Sequence, residues 1–207
     1  MPAGAACYAN GEQVGHDVIV QNGATLSFEG APGVEASVGH HITADQPAGI
    51  AIYGPFPEEV YVGHDIYIDG VTGAGPSDPY PDTDRTGRYN NAICETTVVH
   101  DMTIVNSATT ASEWILGELT GTSGERENEC LRSDTIQHDL NVTGNHNDAL
   151  DIGENQVGHT IHVTGNQPTS TDVYINNAGH DANCSNNGPP DGNTGGNTAG
   201  HSNSGCG

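Results

Sequence analysis

Val62-Gly63-His64-Asp65-Ile66-Tyr67-Ile68 decides the fold, because the chain keeps rewriting it. Close versions are Val14-Gly15-His16-Asp17-Val18-Ile19-Val20 and Val38-Gly39-His40-His41-Ile42-Thr43-Ala44. Val98-Val99-His100-Asp101, Ile136-Gln137-His138-Asp139 and Val157-Gly158-His159-Thr160 follow, and Ala178-Gly179-His180-Asp181 is a worn copy. The seven leading histidines stand 24, 24, 36, 38, 21 and 21 residues apart. A period of 20 to 25 residues with apolar alternation is the signature of a solenoid.

Each repeat reads as three short strands. A pre-corner strand ends in the apolar residue ahead of the Gly-His step (Val14, Val38, Val62, Val98, Ile136, Val157). A post-corner strand carries an apolar pair such as Val18 and Val20, or Ile66 and Ile68. A closing strand carries another, as in Leu26-Ser27-Phe28, Ile50-Ala51-Ile52, Leu150-Asp151-Ile152 and Val173-Tyr174-Ile175. Period-two alternation puts each pair on one face of its strand. Three faces per turn predict an all-β, single-domain parallel β-helix of about seven coils of 21–24 residues, spanning 1–184. At about 4.8 Å per coil the rod would be on the order of 34 Å long. The Gly/Asn-rich stretch 185–207 reads as a capping tail. Only Ser112 to Leu119 looks able to form a helical turn.

Composition agrees with short strands and frequent turns. Glycine numbers 29, and the aromatics are one Trp, seven Tyr and two Phe. Twenty-seven acidic residues face four arginines and no lysine, for a formal charge of −23. Such a surface cannot supply the Lys/Arg that displace counterions from nucleic acid or bind anionic lipid. It suits solubility in salt or the collection of cations. No apolar run is long enough to span a bilayer. Met1 to Cys7 is too short and too weakly apolar for a signal peptide, so the chain reads as a mature sequence with its leader replaced by Met. Five cysteines without Cys-x-x-Cys spacing point to disulfides and a secreted, extracellular protein.

Two repeats are long. The excess reads as loops at about 71–91 and 106–132, both leaving a few residues past the post-corner strand and so projecting from the same side. All four arginines (Arg85, Arg88, Arg126, Arg132) lie in them, with Tyr80, Tyr89 and Trp114. Arg85, Arg88, Trp114, Tyr80 and Tyr89 form a candidate loop binding patch for a glycan or cell surface, since loops on a rigid repeat carry specificity. The plainer alternative is that each Arg ties its loop to a neighbouring carboxylate. Cys94 and Cys130 each sit where an insertion rejoins its coil, in register for a disulfide between adjacent coils. Cys184 and Cys206 would pair to fold the tail over the open end. Cys7 is left over, as a free thiol or an intermolecular link.

Stacking places His16, His40, His64, His100, His138, His159 and His180 in one column, beside Asp17, Asp65, Asp101, Asp139 and Asp181. His41 and Thr160 stand in the aspartate column of the other two repeats. Strand parity would point the histidines inward, where a polar ladder with ring nitrogens on backbone groups satisfies them. A sharp Gly-His corner would instead turn both columns to solvent. There they could hold a divalent metal such as calcium, zinc or copper. Catalysis by a His-Asp pair fits poorly, because one active site needs one pair and seven copies look architectural.

The Val-Gly-His-Asp phrases, Val142-Thr143-Gly144-Asn145, Val163-Thr164-Gly165-Asn166 and the ending Gly196-Asn197-Thr198-Ala199-Gly200-His201 before Cys206 resemble secreted β-helix repeat proteins of actinobacteria. The resemblance implies a secreted parallel β-helix with a disulfide-closed end and brings no activity. The architecture alone is similar to bactofilins, which polymerise.

Four functions compete. A structural solenoid would associate with itself through unprotected strand edges at the N-terminal end, where Cys7 lies. A binding module would use the His/Asp columns or the loops. An enzyme on acidic polysaccharide would need a basic groove that four loop arginines do not make. Ice binding would need a regular threonine face, which is absent. The expectation is a non-enzymatic, self-associating structural solenoid.

Overall fold

The computed structural model describes residues 1–54, 59–76, 91–108, 113–117, 133–189 and 195–206, and contains strands, turns and no helix among them. The strands stack into three parallel sheets, one for each face. The closing sheet runs Ala6–Asn10, Thr25–Glu29, Gly49–Tyr53, Asn91–Cys94, Glu113–Gly117, Ala149–Gly153 and Ser170–Tyr174. The pre-corner sheet runs Gln13–Val14, Ala36–Val38, Val60–Val62, Thr96–Val98, Thr135–Ile136, Gln156–Val157, Asn177–Ala178 and Thr198–Ala199. The post-corner sheet runs Val18–Val20, Ile42–Asp45, Ile66–Asp69, Met102–Val105, Leu140–Thr143, Ile161–Thr164, Asp181–Ser185 and Ser202–Ser204. Every pairing joins one coil to the next, so the chain is a parallel β-helix.

The expected apolar pairs form the interior. Ile42, Ile66, Met102, Leu140 and Ile161 lie in successive register, as do Ala44, Ile68, Ile104, Val142 and Val163. All are 0–1% exposed. Each large aliphatic side chain so buried contributes roughly 1.5–3 kcal/mol relative to exposure. A parallel stack makes this possible, because identical faces superpose coil upon coil.

Three expectations need correction. Residues 185–207 are not a simple cap: Thr198–Ala199 pairs with Asn177–Ala178, and Ser202–Ser204 with Asp181–Ser185, adding an eighth coil. Its corner is Ala199-Gly200-His201, 21 residues after His180, a copy of Ala178-Gly179-His180. Cys206 ends that coil inside the core, 3% exposed and disulfide-bonded to Cys184. The bond therefore ties coil eight to coil seven. An oxidising compartment is what such a bond indicates.

The segment expected to make a helical turn is the closing strand Glu113–Gly117, whose Trp114 and Leu116 lie in register with Leu150 and Ile152. The second insertion is accordingly shorter than 106–132. Residues 106–108 round the corner within the coil, and the long excess falls at 118–132, after the closing strand. The first insertion precedes its closing strand, Asn91–Cys94. The two insertions thus fall at different points of the repeat, one before its closing strand and one after.

Polar ladders run inside the other corners. Asn145, Asn166 and Asn187 form one column: Asn145 Nδ2 donates to Asn166 Oδ1 at 2.9 Å, and Asn166 Nδ2 to Asn187 Oδ1 at 3.0 Å. Each oxygen also accepts the backbone N–H of the preceding coil, 3.0 Å for Asn145 N and 3.1 Å for Asn166 N. A second column holds Thr96, Asp134, Asn155, Asn176 and Asn197. These ladders satisfy the backbone where the chain turns and no sheet partner is available.

Candidate functional site

The Gly-His corner faces solvent. His16, His40, His64, His100, His138, His159, His180 and His201 are all exposed, while Asp65, Asp101, Asp139 and Asp181 are partly buried beneath them. This corrects the inward ladder drawn from strand parity. The backbone of each corner still hydrogen-bonds along the stack, as in His64 N to His40 O at 2.9 Å. Alternation does not survive the bend, so the ring swings outward. Where glycine precedes the histidine it permits the tight stacking, a Cβ on Gly63 lying 2.2 Å from Gly39 O, while Val99 and Gln137 stand at this place in two coils.

Each aspartate clasps two coils. Asp101 Oδ1 accepts the backbone N–H of Asp139 at 3.0 Å and Nδ1–H of His138 at 2.7 Å. Its Oδ2 lies 3.4 Å from Nδ1 of His100 in its own coil. Asp65 repeats this with Asp101 N at 3.1 Å and His100 Nδ1 at 2.8 Å, and Asp139 with Thr160 N at 2.9 Å and His159 Nδ1 at 2.8 Å. Asp181 holds His201 Nδ1 at 3.0 Å. Asp17 lies at the start of the column, its Oδ1 accepting His41 N–H at 3.2 Å. The imidazoles stack: His100 on His138 and His138 on His159 have centroids 4.9 and 5.0 Å apart and planes within 2° and 9°.

These contacts shift the titrations. Partial burial pushes the carboxyls of Asp65 and Asp139 up, but the hydrogen bonds from backbone amides and imidazoles outweigh it and hold both below 3.8. Hydrogen bonding from His201 holds Asp181 low in the same way. The hydrogen bond to Asp101 raises His138 above 6.5.

Among the described residues, four groups bring metal-ligating atoms within 4.8 Å of one another: His41, His64 and Asp65; His100, Asp101 and His138; His138, Asp139 and His159; and His180, Asp181 and His201. His16, His40 and Asp17 are not among them. His201 was missed from the sequence because it sits in the stretch read as tail, although its 21-residue spacing marks it.

The other candidates are placed as follows. Trp114 is fully buried, its Nε1 donating to Ser107 Oγ at 3.0 Å, so it is a core residue and no part of a loop patch. Arg85, Arg88, Tyr80, Tyr89 and Cys130 lie outside the described residues. Cys94 is disulfide-bonded. Cys7 is a half-buried free thiol in the first closing strand, in register with Leu26. Comparison with protein-family models, curated proteins and solved structures finds no match.

Proposed function

We propose that the protein is a secreted structural rod that associates end to end with further copies of itself. The observation that carries this reading is that the sheets pair on one side only at each end of the stack. Strands Ala6–Asn10, Gln13–Val14 and Val18–Val20 pair only toward coil two, and Thr198–Ala199 and Ser202–Ser204 pair only toward coil seven. On coil one Met1 occupies part of the Val18–Val20 edge, its amine donating to Ile19 O and its carbonyl accepting Gln21 N–H at 3.2 Å. The outer edges of the other end strands carry backbone donors and acceptors of the kind that template another strand. Val14 and Val18 are only partly buried, whereas Val38 and Ile42 beside them in register are 0% exposed. A second copy stacked on coil one would bury what coil two buries one step on. The C-terminal stretch favours the same reading, since it adds a coil with the same strand direction. The glycan alternative loses Trp114, its one tryptophan.

Negative-stain electron microscopy of oxidised, untagged protein at high concentration tests the proposal. Filaments with an axial repeat of about 38 Å, eight coils at the strand spacing, are expected. Dispersed single rods, with a monomeric mass in sedimentation at the same concentration, would overturn it. In filaments, Cys7→Ser decides whether the thiol links copies, by removing dimers from non-reducing gels.

A further inference from the structure

Of the corners that lack the aspartate, one carries a second histidine in its place. In Val38-Gly39-His40-His41 a histidine occupies the place where Asp65, Asp101, Asp139 and Asp181 stand in other coils. This adds a third imidazole around Asp65. His41 Nδ1 lies 3.2 Å and His64 Nδ1 2.9 Å from the same oxygen, Asp65 Oδ2. Their ring centroids are 4.5 Å apart and their planes are inclined at 51°.

The other cups differ in the feature that matters for chelation. At Asp101 the two imidazoles take opposite oxygens, His138 on Oδ1 and His100 on Oδ2, and their rings are parallel. Parallel rings hold their lone pairs parallel and one coil apart. A zinc or copper ion, with bonds of about 2.0–2.1 Å to nitrogen, cannot lie on both lone pairs at once. The tilted pair His41 and His64 instead brings both Nδ1 atoms to one oxygen, Asp65 Oδ2. The remaining oxygen of that carboxylate is already fixed, Oδ1 accepting from His100 Nδ1 at 2.8 Å and Asp101 N at 3.1 Å. Outer hydrogen bonds of this kind orient a ligating carboxylate and tune its basicity.

We propose that His41 Nδ1, His64 Nδ1 and Asp65 Oδ2 bind one zinc(II) or copper(II) ion, with a fourth position open to water. Binding moves each imidazole proton from Nδ1 to Nε2, so both rings stay neutral and the carboxylate stays ionised. Two imidazoles and one carboxylate suit these late first-row ions and not calcium, which takes six to eight oxygens. His41 and Asp65 are 39% and 30% exposed in their side chains, so an ion has a path in. The −23 surface raises the local cation concentration. The metal reading thereby narrows from the whole column to one cup. It stands independently of end-to-end assembly.

Calorimetric titration of untagged, oxidised protein with Zn2+, and Cu2+ titration followed by electron paramagnetic resonance, tests the site. One equivalent should bind well ahead of any others, and the Cu2+ spectrum should carry coupling to two nitrogens. His41→Thr should remove that equivalent. Threonine already occupies this column position as Thr160, so the coil tolerates it, and an unchanged thermal melt verifies the fold. His100→Gln should weaken the equivalent about tenfold, the effect of an outer-shell change. His138→Gln, in a stacked cup, should leave it alone. No saturable Zn2+ or Cu2+ step, several equal steps, or a first step that survives His41→Thr would each overturn the proposal.

Discussion

Asp134 occupies an asparagine's place. In its column the amide of Asn155 donates to Leu116 O at 3.1 Å and to Asn176 Oδ1 at 3.0 Å. Asp134 keeps the acceptor half of that role, Oδ1 taking the N–H of Thr96 at 3.0 Å, while its Oδ2 has no partner. Complete burial, with Glu95 and Glu59 nearby, drives its pKa well above 3.8, so the fold favours the protonated acid. The unfolded chain releases this proton first, so folding loses stability as pH rises above 3.8 toward the raised value. Asp134→Asn restores the missing donor and should stabilise by roughly 1–3 kcal/mol in denaturant unfolding. The gain should be larger at pH 8 than at pH 5; an equal gain at both would mean that Asp134 does not titrate abnormally. Ile175 offers a second gain. It is a β-branched residue held at φ 53° and is 52% exposed. The left-handed region costs an ordinary L-residue about 1–2 kcal/mol, and asparagine tolerates it better. Ile175→Asn should therefore raise the thermal midpoint, and a lower midpoint would show that the side chain contributes more than the backbone loses.

At the scale of the element, two kinds of ladder hold the coils, buried asparagine and exposed His–Asp, and they should differ greatly in weight. Asn166 is fully buried; its oxygen accepts from Asn145 N and Nδ2, and its amide donates to Val142 O and Asn187 Oδ1. Asn166→Ala strands several buried groups at roughly 1–3 kcal/mol each and should cost about 3 kcal/mol or more. His159 is half exposed and holds an Asp139 that keeps its bond from Thr160 N. His159→Ala should cost less than about 1 kcal/mol, the range of exposed ion pairs. Paired urea titrations check the order, and a larger loss at His159 would reverse it. The sequence drew attention to the weaker ladder. Histidine and aspartate are conspicuous in a repeat, whereas asparagine beside glycine reads as turn composition. Gly144 and Gly165, at φ 67° and 65°, turn the chain so that Asn145 and Asn166 point inward, and that placement depends on backbone geometry. The strand Glu113–Gly117 stayed hidden for a different reason. Its pair Trp114 and Leu116 has the spacing of Leu150 and Ile152, but the long segment after it, 118–132, drew it into the insertion.

At the scale of the whole molecule, the solenoid and its three faces followed from repeat spacing and period two, because a parallel stack repeats its sequence pattern along the axis. The coil number did not, since Ser202-Asn203-Ser204 after Ala199-Gly200-His201 lacks the apolar residues that follow the other corners. What remains physically distinctive is charge: −23 spread over a short rod, with carboxylates in register. Asp139 and Asp181, held below 3.8, stabilise the fold above that value, and the contribution is lost as pH falls through their lowered values. His138, raised above 6.5, stabilises below 6.5, and its contribution is lost as pH rises through the raised value. Both are present together between about 3.8 and 6.5. Asp134 favours the lower side of the same interval. The thermal midpoint should thus peak in mild acid, between about pH 4 and 6.5, instead of near neutrality. At pH 8, where like charges repel most, added sodium chloride should raise the midpoint by screening them. Circular dichroism melts from pH 3 to 9 at low and high salt separate the contributions. A midpoint that falls steadily from pH 7 to 5.5 would mean that the His–Asp column gains nothing from protonation, and its stacked rings would then hold the coils by contact alone.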